Sequence, residues 1–212
     1  GTTNVKFAND IAGDATILQR DGVNLVVNGD NKKYSGVITV NGNGRASGTE
    51  TLTFNNINFD AATATENFTF INAPSKIGNK YNYSHNVTIE GCTFTGNYPA
   101  AEVGSASFTG TYNLVMKNCT VTKMHSALQV QSCDNTALVE NVTATDCKNG
   151  VSFGNTANPA IKNSSIGSIE YGIRADGNAS RGNLVVENTT ITSKVPVIVR
   201  KITTDGYKVA LD

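Results

Sequence analysis

Between Ile71 and Val87 the chain gathers Lys76, Lys80, Tyr81, Tyr83 and His85 within ten residues. Tyrosine rings stack on the apolar faces of sugars, while hydroxyl, ammonium and imidazole groups bond the polar edges. A second connection, from Gly104 to Asn113, adds Phe108 and Tyr112 and is expected on the same edge of the molecule. Arg174 stands apart, in an outward polar column with Glu102, Gln129, Gln131, Ser152, Asp176 and Arg200, which either grips hydroxyl-rich ligands or is simply solvated. This is a binding chemistry rather than a turnover chemistry. There is no Ser-His-Asp or Cys-His arrangement with a local signature. Asp60, Asp134, Asp146 and Asp176 fall in different columns, so no two carboxylates are expected to face each other across a groove, as glycoside hydrolysis requires. His125 sits beside a corner and reads as structural, and no motif implies a metal or cofactor.

The elements that must position these residues follow from a recurring motif. Leu184-Val185-Val186-Glu187-Asn188-Thr189-Thr190-Ile191 has earlier versions at 114–121 and 87–94: two alternating runs that meet at an Asn or Gly. Taking that corner as a marker gives Gly29, Asn56, Gly91, Asn118, Asn141, Asn163 and Asn188, at intervals of 27, 35, 27, 23, 22 and 25 residues. Two residues before it stand Val27, Phe54, Ile89, Met116, Val139, Ile161 and Val186, and three after it Phe59, Phe94, Val121, Ala144, Ile166 and Ile191. A third strand is expected about ten residues on, at Ala101-Glu102-Val103, Leu128-Gln129-Val130, Val151-Ser152-Phe153 and Ile173-Arg174-Ala175. Helix-period spacing is missing, and Thr and Asn recur where strands and corners favour them. The expected fold is all-β: a right-handed parallel β-helix with three strands per coil and seven to eight coils, spanning 15–212, behind an N-terminal cap formed by residues 1–14. Asn41-Gly42-Asn43-Gly44 reads as a turn.

The Leu/Val-x-Val-Glu/Lys-Asn-x-Thr-Ile pattern at 184–191, 114–121 and, less perfectly, 52–59 resembles the coils of the pectate-lyase-like single-stranded β-helices. The likeness covers about residues 15 to 212. It implies an Asn ladder at one corner, matched by Asn56, Asn118, Asn141, Asn163 and Asn188, with Gly29 and Gly91 departing from it. It implies no activity, because the fold hosts lyases, hydrolases, adhesins and phage tail proteins. The Asn-Thr-Asp, Asp-Asp, Gly-His-Gly and Arg-Ile-Lys motifs of polygalacturonase-like members are missing; His85 lies in Ser-His-Asn and Arg174 in Arg-Ala-Asp. The clustered calcium-binding aspartates of pectate lyases are missing too.

The outward columns carry two further expectations. One residue before the marker, Glu90, Lys117, Glu140, Lys162 and Glu187 alternate in sign and should form a cross-coil ion-pair ladder. Three before it, Val115, Leu138, Ala160 and Val185 form an apolar row that is either covered or a contact surface for another chain. The 17 basic and 17 acidic residues give zero net charge, which offers no electrostatic case for nucleic acid or anionic membrane. No apolar run reaches a membrane span of about 20 residues. Gly1 reads as a cloning or processing remnant, so a leader removed earlier remains compatible with the sequence. Cys92, Cys119, Cys133 and Cys147 form no CxxC pair and are expected as buried free thiols. Asn-x-Ser/Thr triplets such as 118–120 and 188–190 arise from the repeat, and their ladder asparagines are expected to be buried.

The leading expectation is a secreted or cell-surface, non-catalytic, adhesin-like module that binds glycan or cell-surface polysaccharide. The alternatives are a polysaccharide lyase or glycoside hydrolase with an atypical site, and a structural segment of a phage tail or larger repeat protein. The last rests on Val209-Ala210-Leu211-Asp212, which restarts the motif and would leave an open C-terminal coil for self-association.

Overall fold

The computed structural model describes residues 1–42, 48–176, 183–200 and 208–212, so the second half of the turn expected at Asn41–Gly44 lies outside it. The chain winds as a parallel β-helix of eight turns, and a strand at Val209–Leu211 begins a further one. One face is a nine-stranded sheet from Thr2–Lys6 to Val209–Leu211, and every neighbour pair in it is parallel. The second and third strands of each turn stack into two further faces. In two turns these strands run together without a break, as Thr143–Gly154 and Ser165–Asp176.

Alternation puts one residue in two inside each coil. Leu52, Val87, Leu114 and Ala137 form one inward row of the first sheet, and Phe54, Ile89, Met116 and Val139 form the next; all are at most 1% exposed. Rings file up the second face: Tyr34 meets Phe59 edge-on at 5.8 Å, and Phe59 stacks on Phe94 at 4.6 Å and 6°. All four cysteines are free and buried, and burial raises the Cys133 and Cys147 thiols to about 11.

The marker asparagines bend the chain as a left-handed residue does. Asn56, Asn118, Asn141, Asn163 and Asn188 have φ between 44° and 54°, a region that Asn tolerates better than other side chains. Asn141 Nδ2 donates to Asn118 Oδ1 at 2.7 Å, and Asn188 Nδ2 to Asn163 Oδ1 at 2.8 Å. These ladder amides are not buried: Asn118, Asn141, Asn163 and Asn188 are all exposed. A left-handed corner turns its side chain to the outside, while the next residue (Cys119 or Val142) turns inward. The asparagines of the triplets at those corners therefore lie on the surface, with the middle residue inside at 118–120 and 141–143. Gly91 keeps the left-handed angle, φ 63°, but a Cβ there would lie 2.4 Å from Asn56 Oδ1. At Gly29 the marker fails: the left-handed residues are Asp30 and Asn31, and Gly29 is small because the Asn56 carbonyl oxygen lies 2.6 Å from where its Cβ would stand.

A second asparagine ladder runs along the other edge of the first sheet. Asn113 Nδ2 donates to Asn86 Oδ1 at 2.7 Å, Asn135 Nδ2 to Asn113 Oδ1 at 2.8 Å, and Asn158 Nδ2 to the Asn135 carbonyl at 2.9 Å. On the same column Thr51 N donates to Asn24 Oδ1 and Lys208 N to Asn183 Oδ1. The sequence signals it by an Asn just ahead of the first inward residue of most coils.

Two expected boundaries move. Residues 1–14 already wind: Thr2–Lys6 pairs with Asn24–Asn28, and Ile11–Ala12 with Tyr34–Ser35. A backbone ladder needs no apolar side chains, so this rung forms although its first strand is exposed throughout. In the fourth coil the third strand is Val103–Phe108, and Ser107 aligns with Gln129. The connection before it, 96–102, is longer than in later coils, so a fixed offset from the marker points too early. Phe108 is consequently fully buried core and not part of a surface loop.

Candidate functional site

The stretch singled out in the sequence is a β-hairpin on the connection from the third sheet back to the first. Lys76–Ile77 pairs antiparallel with Lys80–Tyr81 around Gly78, whose φ of 59° is freely open to glycine. Lys76 Nζ lies 4.7 Å from the centroid of the Tyr81 ring, a cation–π contact, and Tyr81 is 74% exposed. Below the hairpin, Asn82 is a buried strut: its Nδ2 donates to the carbonyls of Val40 and Pro74, and its Oδ1 accepts from Gly42 N. The tip therefore stands on a fixed base.

The remaining candidates divide. Tyr83 turns its hydroxyl to Asp134 and to the Thr111 carbonyl, bracing later coils. His85 is 3% exposed, with Nδ1 3.9 Å from Glu50 Oε2 and its backbone NH bonded to Gln19 Oε1, so burial takes it out of any surface. Tyr112 is half-buried and, with Gly48, Thr49 and Glu50, lines an open pocket of about 510 Å³ on the same connecting edge. A hydrogen bond from Gly22 N holds the Glu50 carboxyl below the usual range, so it is an ionised acceptor. Arg174 is elsewhere, three coils on: its guanidinium lies over Tyr171 at 5.2 Å and pairs with Asp176 at 2.8 Å, which Arg200 also holds through two bonds. Ser152, expected outward beside it, is 5% exposed. The structure thus brings Lys76 and Tyr81 into contact, places Lys80 on the same hairpin, sets Tyr112 on the same edge, and separates Arg174 from them.

Sequence reasoning missed Glu50 and its pocket, because nothing in Gly48-Thr49-Glu50 marks it as a cleft. It also missed a groove on the opposite connection. Asp14, Asp60 and Glu66 line a pocket of about 380 Å³ that adjoins one of about 400 Å³ reaching Glu102, with Phe68 in both walls. The acids come from different coils: Asp14 belongs to the first, Asp60 to a strand of the third and Glu66 to the long connection after it.

The family model for a right handed β-helix region matches residues 3–207. The chain belongs to the right-handed β-helix family. No curated protein and no solved structure gives a significant match to it.

Within this β-helix two of the groove carboxylates, Asp60 and Glu102, are held in the ionised form. A bond from Ala62 N and then the Lys33 ammonium, 3.0 Å away, hold Asp60 below its ordinary range. Lys148 at 3.0 Å and then His125 do the same for Glu102. A glycosidase acid needs its proton retained, which requires the opposite shift. Among the described residues, no three His, Cys, Asp or Glu side chains are gathered where a metal ion could sit, and no helix is long and apolar enough to cross a membrane.

Proposed function

We propose that this β-helix is a secreted or cell-surface, adhesin-like module that binds glycans without transforming them. The observation that carries the reading is the hairpin: an exposed Tyr81 ring with Lys76 against it and Lys80 on the same strand pair, raised on a rigid base. A ring of this kind stacks on a sugar face at low entropic cost, and the two ammonium groups favour hydroxyl-rich or uronate-bearing chains. Tyr112 and Glu50 on the same edge supply a second aromatic wall and a fixed acceptor.

The test is a glycan array and a cell-adhesion assay with the intact chain and with Tyr81→Ala and Lys76→Ala/Lys80→Ala variants. Binding that falls at least tenfold in both variants, with unchanged thermal unfolding, supports the reading. A blank array together with adhesion indifferent to the hairpin overturns it.

The acidic groove favours a second reading, a polysaccharide lyase or hydrolase with an atypical site. Incubation with uronate and neutral polysaccharides, with and without calcium, separates the two: an unsaturated or new reducing-end product displaces the binding reading.

A further inference from the structure

We propose that the outer face of the first sheet is an interface with a second copy of this chain, the two helices packing face to face and running in opposite directions. The face is flat and regular. Its central outward row includes Val115, Leu138, Ala160 and Val185, paired in straight register from rung to rung and only partly buried by their neighbours. Beside it runs the charge row Glu90, Lys117, Glu140, Lys162, Glu187.

The order of signs excludes an axis on a rung and requires one between two rungs. A two-fold axis along the strand direction keeps each column facing itself and reverses the order of rungs. Placed on the Glu140 rung, it sets acid against acid and lysine against lysine. Placed between the Lys117 and Glu140 rungs, it sets Lys117 against the other copy's Glu140, and Glu90 against the other copy's Lys162. The same placement puts Val115 against Leu138, the largest side chain of the apolar row, at the centre. It also superposes all eight rungs from Asn24–Asn28 to Val209–Leu211. Complementary charge, the central apolar contact and an overlap of eight of the nine rungs therefore coincide in this register.

Within a single chain the row is incompletely paired. Lys117 meets Glu90 at 3.1 Å and Lys162 meets Glu187 at 2.8 Å, while Glu140 between them acts on Lys162 from a longer range than an ion pair. The second copy's Lys117 would supply it. Eight rungs at about 4.8 Å and three outward columns cover roughly 600 Å² per copy, below the roughly 800 Å² per partner of a standard stable complex. The association is accordingly reversible, with half-dissociation at micromolar concentration.

The test is sedimentation of the intact chain across a concentration series. The expected result is a monomer–dimer equilibrium in which Lys117→Glu and Glu140→Lys each weaken the dimer at least tenfold. Either substitution alone sets two like-charged pairs across the axis. An equimolar mixture of the two variants restores opposite charge at both contacts and should restore the dimer, which an effect on folding would not do. Circular dichroism of each variant confirms the fold, and Leu138→Arg removes the dimer in every mixture. A monomer at all concentrations up to about a millimolar, a dimer indifferent to both charge variants, or a mixture that fails to recover would each overturn the proposal.

Discussion

Replacing Asn141 probes whether the corners are held by their left-handed backbone or by the amide ladder. Its φ is 50°, and its amide donates to Asn118 Oδ1 at 2.7 Å on the outside of the coil. Alanine at that angle costs about 1 kcal/mol more than Asn, the lower end of the penalty for an L-residue in that region. The exposed amide bond adds about 0.5 kcal/mol, so Asn141→Ala should destabilise by about 1.5 kcal/mol. Glycine loses the same bond but adopts the angle freely; its added freedom in the unfolded chain brings the cost of Asn141→Gly to about 1 kcal/mol or less. The predicted order, Gly milder than Ala, is the reverse of that inside a strand. Urea unfolding followed by far-ultraviolet circular dichroism reads the difference as a shift in midpoint at unchanged slope. Hydrogen exchange at the Val142 and Thr143 amides shows whether the loss stays local, as in a stack of nearest-neighbour units. If Ala proves no worse than Gly, here and at Asn188, the corner is not the strained element described above.

Three further outcomes are expected. Phe94→Ala, at a ring 1% exposed and stacked on Phe59, should cost about 3–5 kcal/mol and open the second face around the third to fifth coils, seen as a lowered midpoint and lost amide protection. With Cys133 and Cys147 at about 11, roughly one thiol in a thousand is ionised at pH 8, so these two should ignore a disulfide reagent until denaturant is added. Glu50, Asp60 and Glu102 are depressed in the folded chain, so their contribution is complete above an unfolded value of about 4 and is lost as pH falls through their folded values. The thermal unfolding midpoint should therefore fall below about pH 4, and the acid step should shrink in Glu50→Gln.

The repeat was legible because its corners ask for something few residues supply. A left-handed angle selects Asn or Gly, so Asn118, Asn141, Asn163 and Asn188 announce themselves wherever they fall, and the period-2 rows follow from them. What a fixed offset from that corner cannot show is how long each connection is, and there the reading slipped, at Gly29 and at Val103–Phe108. The hairpin at 76–81 was visible as chemistry but not as structure, since strands of two residues carry no periodicity. His85 looked available because its own neighbours are polar. Its burial is imposed by Gln19 and Glu50, which are 66 and about 35 residues away in sequence. The groove at Asp14, Asp60 and Glu66 joins the first coil to the third and its long connection, which no local pattern encodes.

The unequal intervals between markers, from 22 to 35 residues, leave the rungs paired in parallel, because surplus residues are taken up at connections or in local register shifts such as those at Thr111–Asn113 and Ala144–Asn149. The molecule therefore has a natural unit of copying. A duplicated stretch beginning and ending at equivalent corners, such as 119–141, brings its own inward rows, corner amide and hydrogen-bonding edges, and needs no adjustment in the neighbours it separates. Segments of one turn can thus be gained or lost without redesigning a core, while the connections stay free to diverge.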